Sequence, residues 1–193
     1  MRIDHVYPVL GSTNFTSNHM HAQTKFFALL FLVITCVGCD QMSKHMAKTM
    51  LAHRSPQSFF SDVLRLHYAE NPGVAFSLGA QWPEHWRMAL FVVGTSFCLA
   101  FLLIYLLRAK IRNDYHLLAL TLIFAGGIGN LIDRIFRDGR VIDFLNLGFG
   151  DFRTAIFNLA DLAITSGMIL LLLTSFGAAR PEPKPIEPPE AKS

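Results

Sequence analysis

WRMALFVVGTSFCLAFLLIYLL, residues 86–107, is the stretch that decides the class of fold. It runs for 22 residues with a single charge, Arg87, near its start. As an α-helix, a stretch of this length extends about 33 Å, at a rise of about 1.5 Å per residue, which is enough to cross the hydrocarbon core of a bilayer. The stretch therefore predicts a transmembrane helix.

The composition of the whole chain agrees with a membrane protein. Of its 193 residues, 52% are hydrophobic and only 16% are charged, which is too apolar for an ordinary soluble domain. The formal net charge is +3, but the basic residues are scattered, without the dense patch that nucleic-acid binding needs. We therefore expect membrane lipids as partners and no nucleic acid.

Three further apolar runs complete a predicted set of four spans. The first is short, so its helix must continue through Asp40 and Lys44, which lie one turn apart and can pair. The predicted spans are residues 26–46, 86–107, 115–134 and 155–176. Together they form a membrane domain at residues 25–177, preceded by a polar extension at residues 1–24 and followed by a Pro-rich, disordered tail at residues 178–193.

A small β-rich element is predicted between the first two spans. Residues 63–68 alternate apolar and polar side chains, as a half-buried strand does, and Asn71-Pro72-Gly73 has turn chemistry. The short basic loop at residues 108–112 favours a cytoplasmic position by the density of its positive charge. Both termini would then be cytoplasmic, and both longer loops would lie on the outer side.

Polar residues recur at one predicted depth in three of the spans. They are Asp40 and Lys44, then Asn130, Asp133 and Arg134, then Asn158 and Asp161. Because polar groups at membrane depth must bind each other or water, their convergence favours a functional site. A polar plug that only holds helix ends together is the structural alternative. Gly126, Gly127 and Gly129 are interpreted as close-packing positions.

Asp143 and Asp161 are the candidate reactive groups. Two neighbouring acids can share a proton, so that one acts as a base toward water and the other as an acid. No pair of histidines has the HExxH spacing, so no metal or other cofactor is expected. The alternatives are a small proton-coupled transporter or channel, a Ser43–Lys44 hydrolase, and a lipoprotein signal ending before Cys39.

Five motifs, in this order, closely resemble those of the lipoprotein signal peptidase family, also called signal peptidase II. They are DQMSK at residues 40–44, ENPGVAF at 70–76, GGIGNLIDR at 126–134, VIDF at 141–144 and FNLAD at 157–161. The resemblance covers residues 25–176. It implies an α-helical integral membrane protein of four transmembrane helices with a small β-rich periplasmic cradle.

The resemblance also implies an aspartic endopeptidase of the bacterial inner membrane, working without a cofactor and expected to be a monomer. Such an enzyme removes the signal peptide of a prolipoprotein, cutting just before a cysteine that carries a diacylglyceryl group. Matched residue by residue, the catalytic acids are Asp143 and Asp161. The implied supporting or substrate-binding residues are Asp40, Lys44, Asn71, Gly73, Asn130, Asp133, Arg134 and Asn158.

Overall fold

The computed structural model describes residues 14–73, 81–109, 111 and 113–177, with side chains from residue 23 onward except that of Glu84. The helices are α1 (Asn14–Leu51), α2 (Glu84–Arg87), α3 (Thr95–Arg108), α4 (Asp114–Phe136) and α5 (Leu159–Gly177), with a π-helical segment, Met88–Gly94, joining α2 to α3. The strands are β1 (Gln57–Phe59), β2 (Leu64–Asn71), β3 (Val141–Phe149) and β4 (Phe152–Arg153).

Within these residues, three helical stretches are long and apolar enough to cross a membrane. They are Gln23–Leu51, His85–Arg108 and Asp114–Phe136, and the apolar part of α5, Leu159–Ser175, is shorter. Large apolar side chains on these helices point outward, as lipid-facing residues do; Phe31, Phe97 and Phe101 are examples. The predicted fold class, a helical membrane protein with a small sheet, is confirmed.

The helix limits differ from the predicted spans at several ends; α1 ends at Leu51 and not at residue 46, and α4 ends at Phe136 and not at residue 134. Helix α1 begins at Asn14, so the second half of the polar extension is helical. Helix α5 begins at Leu159 and not at residue 155, because Phe157 forms a β-bridge with Leu145 before the chain turns into the helix. Residues 1–13 and the predicted tail at residues 178–193 lie outside the described residues.

Glycines allow α4 and α5 to pack closely. A Cβ atom at Gly126 would meet the backbone oxygen of Ala160, and one at Gly167 would lie 2.6 Å from the backbone oxygen of Ala119. Gly127 faces Leu99 of α3 at a similar distance. The interpretation of the GGIG segment as a close-packing surface is therefore confirmed.

The four strands form one antiparallel sheet in the order β1-β2-β3-β4. Ile142 and Phe144 of β3 pack against Ala47 and Leu51 near the end of α1, which fixes the sheet beside that helix. Strand β2 confirms the prediction for residues 63–68 and continues to Asn71. The sheet thereby carries Asn71 and Asp143 to the region where α5 begins.

At the opposite end of the helices, Lys25 Nζ lies 2.7 Å from Asp114 Oδ1. This exposed ion pair joins the start of the apolar part of α1 to the first turn of α4, so the two helices run in the same direction. The polar residues of α1 and α4 consequently reach the same end of the molecule. The convergence expected from the sequence is found there.

Candidate active site

Asn158 and Asp161 close the first turn of α5 by binding each other. The backbone N–H of Asp161 donates to Asn158 Oδ1 at 2.9 Å, and the backbone N–H of Asn158 donates to Asp161 Oδ2 at 3.2 Å. This reciprocal arrangement is that of a capping box, which satisfies helix N–H groups that otherwise lack partners. It fixes one carboxylate oxygen of Asp161 and leaves the other available to neighbouring helices.

Asp143 enters the site from β3 and is held by two amides. Asn158 Nδ2 donates to Asp143 Oδ1 at 2.7 Å, and Asn71 Nδ2 donates to Oδ2 at 3.1 Å. Asn158 therefore binds both acids, one through its side-chain nitrogen and the other through its capping interactions. Asp143 is buried and Asp161 is half-buried. The pair lies close enough for the charge of Asp161 to act on Asp143.

Asn130 of α4 is the second amide shared by the site. Its Nδ2 donates to Asp161 Oδ1 at 2.9 Å, while its Oδ1 accepts from Asn158 Nδ2 at 3.2 Å and from Lys44 Nζ at 3.0 Å. Because an ammonium group can only donate, Lys44 determines which way the Asn130 amide points. This orientation directs the Asn130 N–H toward Asp161.

Lys44 is fully buried between two carboxylates. Its Nζ lies 2.8 Å from Asp40 Oδ2 and 3.1 Å from Asp133 Oδ2. Asp40 also accepts from the backbone N–H of Ala160 at 2.9 Å, and Asp133 accepts from the backbone N–H of Ile142 at 3.1 Å. Helix α1 is thus joined to α4 by an ion pair and to α5 by a backbone contact, and α4 is joined to β3 by another backbone contact.

Arg134 binds the turn after β2. Its Nη2 donates to the backbone oxygen of Gly73 at 3.2 Å, and its guanidinium lies 5.9 Å from the ring centre of Phe91 in the π-helical segment. The N–H of Gly73 in turn donates to Asn71 Oδ1 at 2.9 Å. Arg134 therefore positions Asn71, and through it the amide that binds Asp143.

The balance of charges in the site favours one proton on the pair formed by Asp143 and Asp161. The cluster contains four carboxyl groups, those of Asp40, Asp133, Asp143 and Asp161, and three cations, those of Lys44, Arg134 and Arg137, the last bound to Asp133 at 3.2 Å. Burial and, after it, the charge of the Asp161 carboxylate together raise the pKa of Asp143 to about 6. A single proton on the acid pair makes the cluster neutral.

Every site residue predicted from the sequence belongs to this network, whereas residues 74–76 of the predicted ENPGVAF motif lie outside the described part of the chain. Two contributors among the described residues, Gln41 and Arg137, were not predicted; Arg137 binds Asp133 one helical turn away. Gln41 Nε2 lies 3.2 Å from Asp40 Oδ2 and from Asp133 Oδ1, and 3.0 Å from the oxygen of Gly129. Gln41 stands beside Asp40 in the first motif, and a polar amide at membrane depth was the available signal.

Comparison with known proteins gives a consistent result. A family model described as Signal peptidase (SPase) II matches residues 32–177. The lipoprotein signal peptidase of Borreliella burgdorferi strain ZS7 is 37% identical over 163 residues, covering 81% of this chain and 95% of that protein. The corresponding protein of Streptococcus pyogenes serotype M1 is 40% identical over 143 residues, covering 73% and 88% respectively.

The fold is also similar to solved structures. A structure described as a bacterial membrane enzyme, determined by the in meso method at 2.3 Å resolution, superimposes with a TM-score of 0.71 at 25% identity, covering 81% of this chain and 92% of that one. A second, determined at 1.9 Å, has a TM-score of 0.66 at 26% identity, covering 77% and 92%. None of these comparisons supports the transporter alternative. By sequence match, fold and the order of its elements, the chain belongs to the signal peptidase II family, whose members are aspartic peptidases that remove signal peptides from prolipoproteins.

Proposed function

We propose that Asp143 and Asp161 are the catalytic pair of this peptidase. The observation that carries the proposal is the double contact of Asn158, which binds Asp143 through Nδ2 and Asp161 through the capping box. Asn130 adds a donor to Asp161 alone. Two acids held in unequal surroundings, one with a raised pKa, are the arrangement that acid and base roles require.

In the proposed reaction, Asp143 holds the shared proton and ionised Asp161 acts as the base. Asp161 takes a proton from a water molecule, which attacks the carbonyl carbon of the scissile peptide bond. Asp143 gives its proton to the developing oxyanion, and the protons are then redistributed so that the leaving amine is protonated when the C–N bond breaks. Because the two acids interact, their ionisation belongs to the pair.

The proposed substrate is a prolipoprotein whose cysteine carries a diacylglyceryl group, cut just before that cysteine. The acid pair lies where α5 begins, next to the apolar surfaces of the helices. Acyl chains remain in the bilayer because each buried CH₂ group contributes about 0.8 kcal/mol. A lipid-modified cysteine would therefore be retained at the depth of the two acids, with the peptide on either side lying along the sheet.

The test compares one precursor in two forms, with and without the diacylglyceryl group, incubated with the purified chain in lipid. The proposal expects a cut before the modified cysteine, identified by mass spectrometry, and no cut in the unmodified form. An equal rate for both forms would contradict the proposed substrate, although not the acid pair. A cut at another position would contradict the proposed placement of the lipid.

We further infer a location in the bacterial inner membrane, with a monomeric chain, cytoplasmic termini and the acid pair on the periplasmic side. The support is the basic loop between α3 and α4, which lies at the same end as the Lys25–Asp114 pair. An impermeant thiol reagent should label Ser61→Cys in intact spheroplasts, and Ala109→Cys only after the membrane is opened. These variants require a background in which the native cysteines are replaced. The reverse pattern would overturn the orientation.

A further inference from the structure

The end of the sheet far from the acid pair carries a strip of apolar side chains on one face. Phe59 pairs with Leu64, Leu64 pairs with Leu147, and Phe149 pairs with Phe152. Paired residues on neighbouring strands point to the same face, as do residues two apart, such as Leu147 and Phe149. These five residues form what we call the apolar strip. Phe149 is 74% exposed and Phe152 is 89% exposed.

The opposite face of the same strands is polar. Ser58 pairs with Arg65 and Arg65 pairs with Asn146, which places all three away from the apolar strip. They join Asp62 and Arg153 in one network: Ser58 Oγ donates to Asp62 Oδ1 at 2.7 Å, and Arg153 Nη1 donates to the backbone oxygen of Asp62 at 2.7 Å. This end of the sheet is therefore amphipathic, with a bonded polar face and an uncovered apolar one.

The apolar strip continues the face by which the sheet packs on the end of α1. The N–H groups of Phe144 and Leu145 both donate to the backbone oxygen of Phe157, and this bulge interrupts the alternation of β3 between Asp143 and Leu145. Beyond the bulge, Leu145 packs against the same cluster as Phe144 at the end of α1, where Met46 and Met50 are exposed on the outer surface of the helix. Within the described residues, the strip and the lipid-facing helix surfaces both expose large apolar side chains.

The next residue of the β1–β2 turn adds to this surface. Phe60 is 78% exposed and has a φ of 53°, in the left-handed region that bulky residues rarely adopt. An aromatic ring that is this exposed contributes little to the packing of the chain itself. An amphipathic element at the membrane–water interface lies with its apolar face in lipid, and that face commonly carries Phe, Leu and Trp.

We propose that the apolar strip and Phe60 insert into the interfacial region of the bilayer that holds the helices. The bilayer is the partner that we expect to cover the apolar strip, because the strip continues a surface of the helices that already faces lipid. The opposite, polar face of the sheet forms ion pairs within the chain, between Asp62 and both Arg65 and Arg153. Lipid anchoring at this end would hold β3, and with it Asp143, at a constant depth. The inference does not depend on peptidase activity.

The test uses the full chain in vesicles of phosphatidylethanolamine and phosphatidylglycerol, without substrate, after Cys36, Cys39 and Cys98 are replaced by Ala. A nitroxide is attached to Phe152→Cys or, as a matched control on the polar face, to Ser58→Cys. Collisions with oxygen report lipid, and collisions with a water-soluble nickel chelate report solvent. The proposal expects an oxygen-to-nickel ratio several-fold higher at position 152 than at position 58.

Equal ratios at the two positions would overturn the proposal, because both faces would then lie in water. Protection of position 152 from both reagents would also overturn it, since the strip would then be covered by protein, such as a second copy of the chain. A label at Phe149→Cys provides the second reading and is expected to follow position 152. Monodisperse behaviour in detergent checks that each labelled variant is folded.

Discussion

Asn158 determines the geometry of the acid pair, because its atoms contact both Asp143 and Asp161. Its amide is oriented by Asn130, and Asn130 is oriented by Lys44. A chain of hydrogen bonds thus leads from the ammonium group of Lys44 in α1, through the two amides, to Asp143 and Asp161. A substitution of Lys44 should therefore alter the geometry of Asp143 and Asp161, although Lys44 contacts neither acid directly.

The pH dependence of the reaction should follow Asp143. Its pKa of about 6 lies above the ordinary value of 3.8, so the folded protein keeps this proton up to about pH 6 and loses it above. With Asp143 as the acid, kcat/KM should fall by about tenfold per pH unit on the alkaline side. Asn71→Ala removes a hydrogen-bond donor that favours the ionised form of Asp143 and so should raise its pKa. The alkaline limb of the pH–rate profile should then move to higher pH.

The measurement is kcat/KM for the lipid-modified precursor between pH 5 and pH 9, at constant ionic strength. Asn113→Ala is the matched control, because Asn113 caps α4 at the opposite end of the helices and should leave the limb in place. A rate that stays constant to pH 8, or a limb that moves to lower pH in Asn71→Ala, would refute the assignment of the proton to Asp143.

Replacing Lys44 should destabilise the fold strongly. Lys44→Met leaves Asp40 and Asp133 buried without the cation they share, and loss of one member of a buried ion pair typically costs about 3–5 kcal/mol. Adding Asp40→Asn should recover part of this free energy of unfolding, since it removes one uncompensated charge. Thermal unfolding in detergent measures both effects.

Lys25→Met is the control for this prediction. Lys25 also pairs with an aspartate, Asp114, but both side chains are more than half exposed, and such pairs contribute about 0–1 kcal/mol. Similar losses in Lys25→Met and Lys44→Met would mean that the buried cluster does not hold the helices together.

At the level of elements, the sequence predicted the helices and β2 more readily than β3. A long apolar run predicts a membrane helix, and an alternating pattern predicts a half-buried strand such as β2. Residues 141–146 of β3 are mostly buried on both faces and therefore show no alternation. The π-helical segment Met88–Gly94 has no signal in the sequence, and yet it carries Phe91 to Arg134. The motif resemblance identified the acids, but their shared contact with Asn158 required the fold.

Close packing of α4 on α5 is testable at Gly126. In Gly126→Ala the new methyl group would meet the oxygen of Ala160 and lie 2.7 Å from Ile164 Cγ1, and overpacking of this kind costs about 1–3 kcal/mol. Because Ala160 precedes Asp161, cleavage should also slow. The readouts are the melting temperature and the cleavage rate.

Gly38→Ala is the control, since a methyl group there meets nothing within 4 Å. In the interior of α1, alanine in place of glycine should leave stability unchanged or raise it by up to about 1 kcal/mol. If Gly126→Ala were as stable and active as Gly38→Ala, α4 and α5 would not be in the close contact described.

At the scale of the whole molecule, the fold brings costly polar groups from α1, α4, α5 and the sheet to one end of an apolar bundle. Charged groups in such surroundings persist when they are bonded to one another, and those of Asp40, Lys44 and Asp133 are. The acid pair is joined to them through amides. Of the four carboxyl groups of the cluster, those of Asp143 and Asp161 are the two without an ion pair in the described part of the chain. A rigid polar cluster thus supports two acids that remain able to exchange protons.

The most direct test of the central claim is the cleavage rate of a lipid-modified precursor by Asp143→Asn and Asp161→Asn, each with its melting temperature. We expect each variant to stay folded and to lose activity by at least about 10³-fold, because acid or base catalysis by either group is removed. Asp114→Asn, at the other end of the helices, should cleave at the rate of the unchanged chain. Turnover near that rate in a folded Asp143→Asn or Asp161→Asn variant would contradict the account.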